Sequence, residues 1–89
     1  MTAEEFTADR LVYLFDFEFS FNLNRAILFM QYGDLRNACR FTERCIFIAY
    51  AAGACGLYDS AQIFKIVCTL MESAMHKGAH LCERCLNDE

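Results

Sequence analysis

The chain of 89 residues has no proline and only four glycines, Gly33, Gly53, Gly56 and Gly78. Without proline, no position is barred from a helix by a missing amide hydrogen, and the glycines are the main punctuation. No low-complexity tract, linker or convincing internal repeat divides the chain, so one domain over residues 1–89 is expected. Basic residues are few. Eight Lys and Arg stand against twelve Asp and Glu, for a net charge of −4 and a pI of about 5.0. Nucleic-acid binding leans on a basic surface, so nucleic acid is excluded as an expected partner. No apolar run reaches the ~20 residues that span a bilayer. The longest, Cys45 to Tyr58, is interrupted by two glycines. The opening MTAEEFTADR is polar and acidic, without the cationic and apolar regions of a secretory signal. A soluble, cytoplasmic protein that does not enter a membrane is therefore expected.

Catalytic groups are also scarce. The two histidines, His76 and His80, both come late, and there is no Ser/His/Asp set, Gly-rich phosphate loop or HExxH. Asp16 and Glu18 are two residues apart and fall on different faces of a helix, a poor arrangement for acid–base work. The expectation is a protein that is not an enzyme and carries no cofactor.

Apolar side chains are abundant. They make up 56% of the chain, against about 45–50% in typical soluble domains. A chain this short buries only about 60–65% of its extended surface on folding. It therefore carries more apolar surface than one small core can hide, and a second copy or another protein is expected to cover the excess. Six cysteines without a signal sequence point to reduced thiols, most acting as small buried apolar groups.

Three long segments follow from the punctuation. The first opens at Thr2-Ala3-Glu4-Glu5, a capping-box pattern with Thr2 as N-cap and Glu5 reaching back. The second opens at Gly33-Asp34, with Asp34 as N-cap and a helix from Leu35 to about Ala54. Its apolar stripe is Leu35, Ala38, Cys39, Cys45, Ile46, Ala49, Ala52 and Gly53. The third opens at Asp59-Ser60-Ala61-Gln62, another capping-box pattern. Ile63, Phe64, Val67, Leu70, Met71, Ala74, Met75, Gly78 and Leu81 then recur at spacings of three and four.

Residues 15 to 21, FDFEFSF, complicate this pattern. Four phenylalanines alternate with polar residues, and period two favours a strand. A lone strand needs a partner, and residues 26 to 32, AILFMQY, are the one candidate. The intervening Asn22-Leu23-Asn24-Arg25 lacks the glycine that tight hairpins favour. The competing strand reading is a β-ribbon, possible also between two subunits.

Residues 26 to 45, AILFMQYGDLRNACRFTERC, resemble one helical hairpin of the tetratricopeptide type. Ala26, Phe29, Gly33, Leu35, Ala38 and Cys45 stand where that family places small, aromatic, glycine, large, small and small residues. Thr42 stands where the family has an aromatic residue, and Tyr50 lies near the position of its terminal proline. The resemblance implies a tight helix–Gly–Asp–helix corner, which places FDFEFSF on a helix.

At 100° per residue, Asp16, Ser20 and Asn24 then form one polar stripe, and Glu18 with Asn22 forms another nearly opposite. Phe15, Phe19 and Leu23 lie between them on one side. Tyr13 or Leu14, Phe17 and Phe21 lie on the other. The expected fold is all-α: a three-helix antiparallel bundle with a long N-terminal helix and two further helices, associating as a dimer. One apolar face of the first helix packs on the chain's own helices, and the other needs another protein.

Two clusters remain. Cys82-Glu83-Arg84-Cys85 is a CxxC preceded by His76 and His80, and thiolate with imidazole is zinc's preferred chemistry. The four would converge only if the chain bent after Gly78, and the plainer reading is a C-terminal helix with partly exposed thiols. Arg36, Arg40 and Arg44 recur every four residues. They suit either an acidic partner surface or a solvated helix face. The expected function is a small regulatory interaction module that binds a partner protein and blocks or occupies it, as anti-activators, inhibitors and chaperones of this size do. The partner would be a transcription regulator or another bacterial or phage-targeted factor. Phe15, Phe17, Phe19 and Phe21 would anchor the contact, and Arg36, Arg40 and Arg44 would form its rim. The alternatives are a zinc-stabilised module using His76, His80, Cys82 and Cys85, and a structural subunit of a larger assembly.

Overall fold

A computed structural model describes residues 3–81, with side-chain surroundings for residues 9–77. Three α-helices follow one another: α1 (Ala3–Gln31), α2 (Leu35–Ala54) and α3 (Tyr58–Leu81). Residues 13–24 lie inside α1, which rules out the β-ribbon. At 1.5 Å per residue α1 is about 43 Å long. The proposed Thr2–Glu5 capping box lies outside the described side chains.

The two corners share one geometry. Gly33 adopts φ 76° and Gly56 adopts φ 86°, a left-handed conformation that glycine takes without a Cβ clash. At the first corner the Gly33 N–H donates to the Met30 carbonyl and the Asp34 N–H to the Phe29 carbonyl. At the second, Gly56 N–H donates to Gly53 and Leu57 N–H to Ala52. These are paired Schellman closures, which satisfy the last carbonyls of one helix and aim the chain back along it. In each corner the residue after the glycine also starts the next helix. The carbonyls of Asp34 and Leu57 accept from the amides of Ala38 and Ala61.

Asp34 is the expected N-cap. Its carboxylate accepts from the Asn37 backbone N–H at 3.2 Å and from the Asn37 side chain at 2.7 Å. These bonds, with a smaller contribution from the nearby Arg36 and Arg40, hold its carboxyl below the usual Asp range. The third helix corrects the expectation. It starts at Tyr58, and Leu57 rather than Asp59 is its cap, because the Gly56 turn fixes the backbone one step earlier. Asp59 lies within the first turn, where its charge suits the helix dipole.

α2 is the central helix, packed along α1 on one side and α3 on the other, while α1 and α3 meet only narrowly. Its inward stripe is made of small residues: Ala38, Thr42, Cys45, Ala49 and Ala52 are all buried. Cys45 is the largest fully buried side chain among the described residues. Small side chains let helix axes approach closely. At the α2–α3 corner the position of a Cβ on Gly53 would lie 3.6 Å from the Cβ of Ala61.

The bulky core residues come from the flanking helices. Phe19 of α1 and Phe64 of α3 stack with ring centroids 4.1 Å apart over the small stripe. Phe15, Leu23, Ile46, Ile48, Leu57 and Val67 close around them. Among the described residues two polar side chains are buried, and each is satisfied within its own helix. The Asn22 amide donates to the Glu18 carbonyl at 2.8 Å, and the Thr42 hydroxyl to the Ala38 carbonyl at 2.8 Å. Asn22 therefore belongs to the packed side of α1, not to a solvated polar stripe.

Candidate interaction surface

The first helix is apolar on two opposed sides, and only one of them is covered. Phe19 is 4% exposed and Phe15 is half-buried against the core, whereas Phe17 and Phe21 are 57% and 48% exposed. Of the four phenylalanines expected to anchor a partner, Phe15 and Phe19 thus belong to the molecule's own core. Phe17 and Phe21 share the outward side with Tyr13, Leu14 and Leu28, all exposed.

The central helix repeats this contrast. Opposite its small inward stripe it presents Arg36, Arg40, Arg44, Phe47 and Tyr50 to solvent. Phe47 is 79% exposed. Phe21 and Phe47 line opposite walls of a shallow groove of ≈400 Å³ between α1 and α2, together with Glu18, Asn22, Arg44 and Ile48. Apolar rings thus cross from one helix to the next, with a guanidinium among them.

Arg44, Arg25 and Lys65 rest on aromatic faces. Arg44 lies 4.8 Å above the Phe41 ring, which itself stacks on Phe29 of α1. Arg25 lies 5.3 Å from the centre of the Phe21 ring, and Lys65 lies 5.3 Å from that of Tyr50. Each pair contributes about 0.5–1 kcal/mol where exposed and more when desolvated. A surface of aromatics capped by Arg and Lys is dressed like the centre of a protein–protein contact. Arg36, Arg40 and Arg44 are all exposed along α2 beside Phe47.

The third helix carries a smaller unpaired stripe. Ile63, Ile66 and Leu70 are exposed at spacings of three and four, away from the buried Phe64, Cys68, Met71 and Met75. Expectation placed Ile63 and Leu70 on the packed stripe with Phe64 and Met71; the arc that α2 covers is narrower than that pattern. Phe47 and Tyr50 were not picked out by sequence reasoning. Their signal is a mismatch of size: bulky residues stand off a stripe made of Ala, Cys and Thr.

The thiols divide by position. Cys45 and Cys68 are buried, and Cys39 and Cys55 are exposed. Burial pushes the Cys45 thiol up to about 12, helped by the neighbouring Cys68, and raises Cys68 as well. His76 is exposed on α3. The His80 side chain, Cys82 and Cys85 lie outside the described residues. Among the described residues no three His, Cys, Asp or Glu come together as a metal site, and no helix is long and apolar enough to cross a membrane. No protein-family model, curated protein or solved structure matches the chain.

Proposed function

We propose that the protein is a small cytoplasmic regulatory module that associates as a homodimer and binds a partner protein through its outward helix surface. It would act by occupying or blocking that partner, as an anti-activator, inhibitor or chaperone does. One observation carries this reading. The central helix buries Ala38, Ala49 and Ala52 and displays Phe47 and Tyr50, and the outward side of α1 displays Phe17 and Phe21 beside them. Large exposed apolar patches on a folded domain mark interaction sites. Arg36, Arg40 and Arg44 would set the rim, and an acidic partner surface suits them.

The test is capture from the native host with wild-type protein and with Phe17→Asp and Arg40→Glu variants as baits, read by mass spectrometry. A specific partner that wild type retains, that Phe17→Asp loses and that Arg40→Glu holds more weakly supports the reading. Capture of the same proteins by all three folded baits would end it.

A further inference from the structure

The outward stripe of α1 has a spacing and a charge pattern that suit a copy of itself. Leu14, Phe17, Phe21, Asn24 and Leu28 recur at alternating steps of three and four, the seam spacing of a two-helix coiled coil. All five are exposed. The single polar member, Asn24, is the kind of seam residue that fixes register. On one flank stand Glu18 and Arg25, opposite in charge, seven residues apart and both exposed. The other flank carries Tyr13, Ser20 and Ile27, none of them charged.

This pattern distinguishes the possible pairings. In a parallel pair, Glu18 and Arg25 would face the uncharged flank of the other helix. In an antiparallel two-fold pair, like flanks meet, and a contact of residue i with j implies a contact of j with i. In the register that sets Phe21 against Asn24 of the second copy, Glu18 falls beside that copy's Arg25, and Arg25 beside its Glu18. A self-complementary pair of charges at this separation is what a two-fold seam uses to fix partner and direction.

We infer that the outward face of α1 is a homodimer seam, across which a second copy of this chain lies antiparallel. Reciprocal Glu18–Arg25 pairs close its edge, Phe21 meets Asn24 of the second copy around the two-fold axis, and Phe17 meets that copy's Leu28. This rests on the proposed function only in taking the stripe as an interaction surface of a dimer. The pairing leaves the outward face of α2, with Arg36, Arg40 and Phe47, open for the regulated partner.

Charge reversal with mixing tests the inference. Glu18→Arg sets Arg against Arg in both pairs of the charged edge, and Arg25→Glu sets Glu against Glu. Each single variant, folded by circular dichroism, is expected to dimerise about tenfold more weakly or worse. An equimolar mixture of the two restores dimers, because both pairs then join Arg to Glu, and native mass spectrometry shows them as mixed dimers. The double variant Glu18→Arg/Arg25→Glu recovers the homodimer. Arg44 lines the same groove as Glu18, but it cannot cause recovery on mixing, since each chain keeps its own internal surroundings. Wild type that stays monomeric, single variants that dimerise like wild type, or a mixture that forms no mixed dimers would each overturn the inference. If the seam fails in any of these ways while Phe17→Asp still loses the captured partner, the proposed partner-binding role stands without the seam.

Discussion

The two sides of α1 differ little in composition and greatly in fate. Phe15, Phe19 and Leu23 line one, and Leu14, Phe17 and Phe21 line the other. The first set packs over the core, and the second is left in solvent. Hydrophobicity does not separate them. The neighbour does: the small residues of α2 leave room for Phe19 to reach Phe64, and no described residue covers Phe17. Burial is here a property of shape on the facing helix, and the uncovered side is surface available to another molecule.

Truncation should expose that contrast most strongly. Phe19→Ala removes a ring stacked at 4.1 Å on Phe64, and is expected to cost about 3–5 kcal/mol in denaturant unfolding. Much of a small domain's stability would go with it. Phe17→Ala, measured at low concentration where the chain is monomeric, is expected to change stability by less than about 0.5 kcal/mol. Equal losses at the two positions would erase the distinction between the sides.

A smaller effect concerns what makes the inner side possible. Ala49 is 1% exposed in the small stripe. Ala49→Leu should force the helices apart and cost about 1–3 kcal/mol by thermal or denaturant unfolding, whereas Ala54→Leu at the exposed end of α2 should cost little. A neutral Ala49→Leu would mean that the close approach of the helices matters less than the geometry implies.

The smallest effect at neutral pH is in the buried thiol. Cys45 titrates near 12 when folded, against an ordinary value of 9.0. The unfolded chain ionises first, so the stabilising contribution is whole below pH 9 and is lost as pH rises toward 12. Wild type should therefore lose stability over that range more steeply than Cys45→Ala. Cys55 should alkylate readily at pH 8 in the native protein while Cys45 resists. Rapid labelling of Cys45 in the folded chain would contradict its burial.

Much of the fold was legible because its signals are local. Gly33-Asp34 announces a corner and a cap within two residues, and the three-four spacing from Ile63 to Met75 announces a helix. The two-sided character of α1 was also legible, from the wheel positions of its phenylalanines. Which side would be buried was not, because that depends on Ala38, Cys45 and Ala49 some twenty to thirty residues away. The cap of α3 was misplaced by two residues, since the backbone of Gly56 decides it and no side chain advertises Leu57. Asn22 read as solvent-facing because its amide partner is its own helix's carbonyl, which a wheel does not display. Phe47 carries no periodic signal, because it stands off the apolar stripe of α2.

The central claim is that α1 has one side closed by its own chain and one that another molecule must cover. Light scattering across a wide concentration range, on wild type and on Phe17→Asp/Phe21→Asp, tests it most directly. The account predicts that wild type passes from 10.3 kDa to twice that mass, while the variant stays at the lower value with an unchanged helical spectrum. Wild type holding at the single-chain mass at the highest concentration, or a variant that associates equally well, would contradict it.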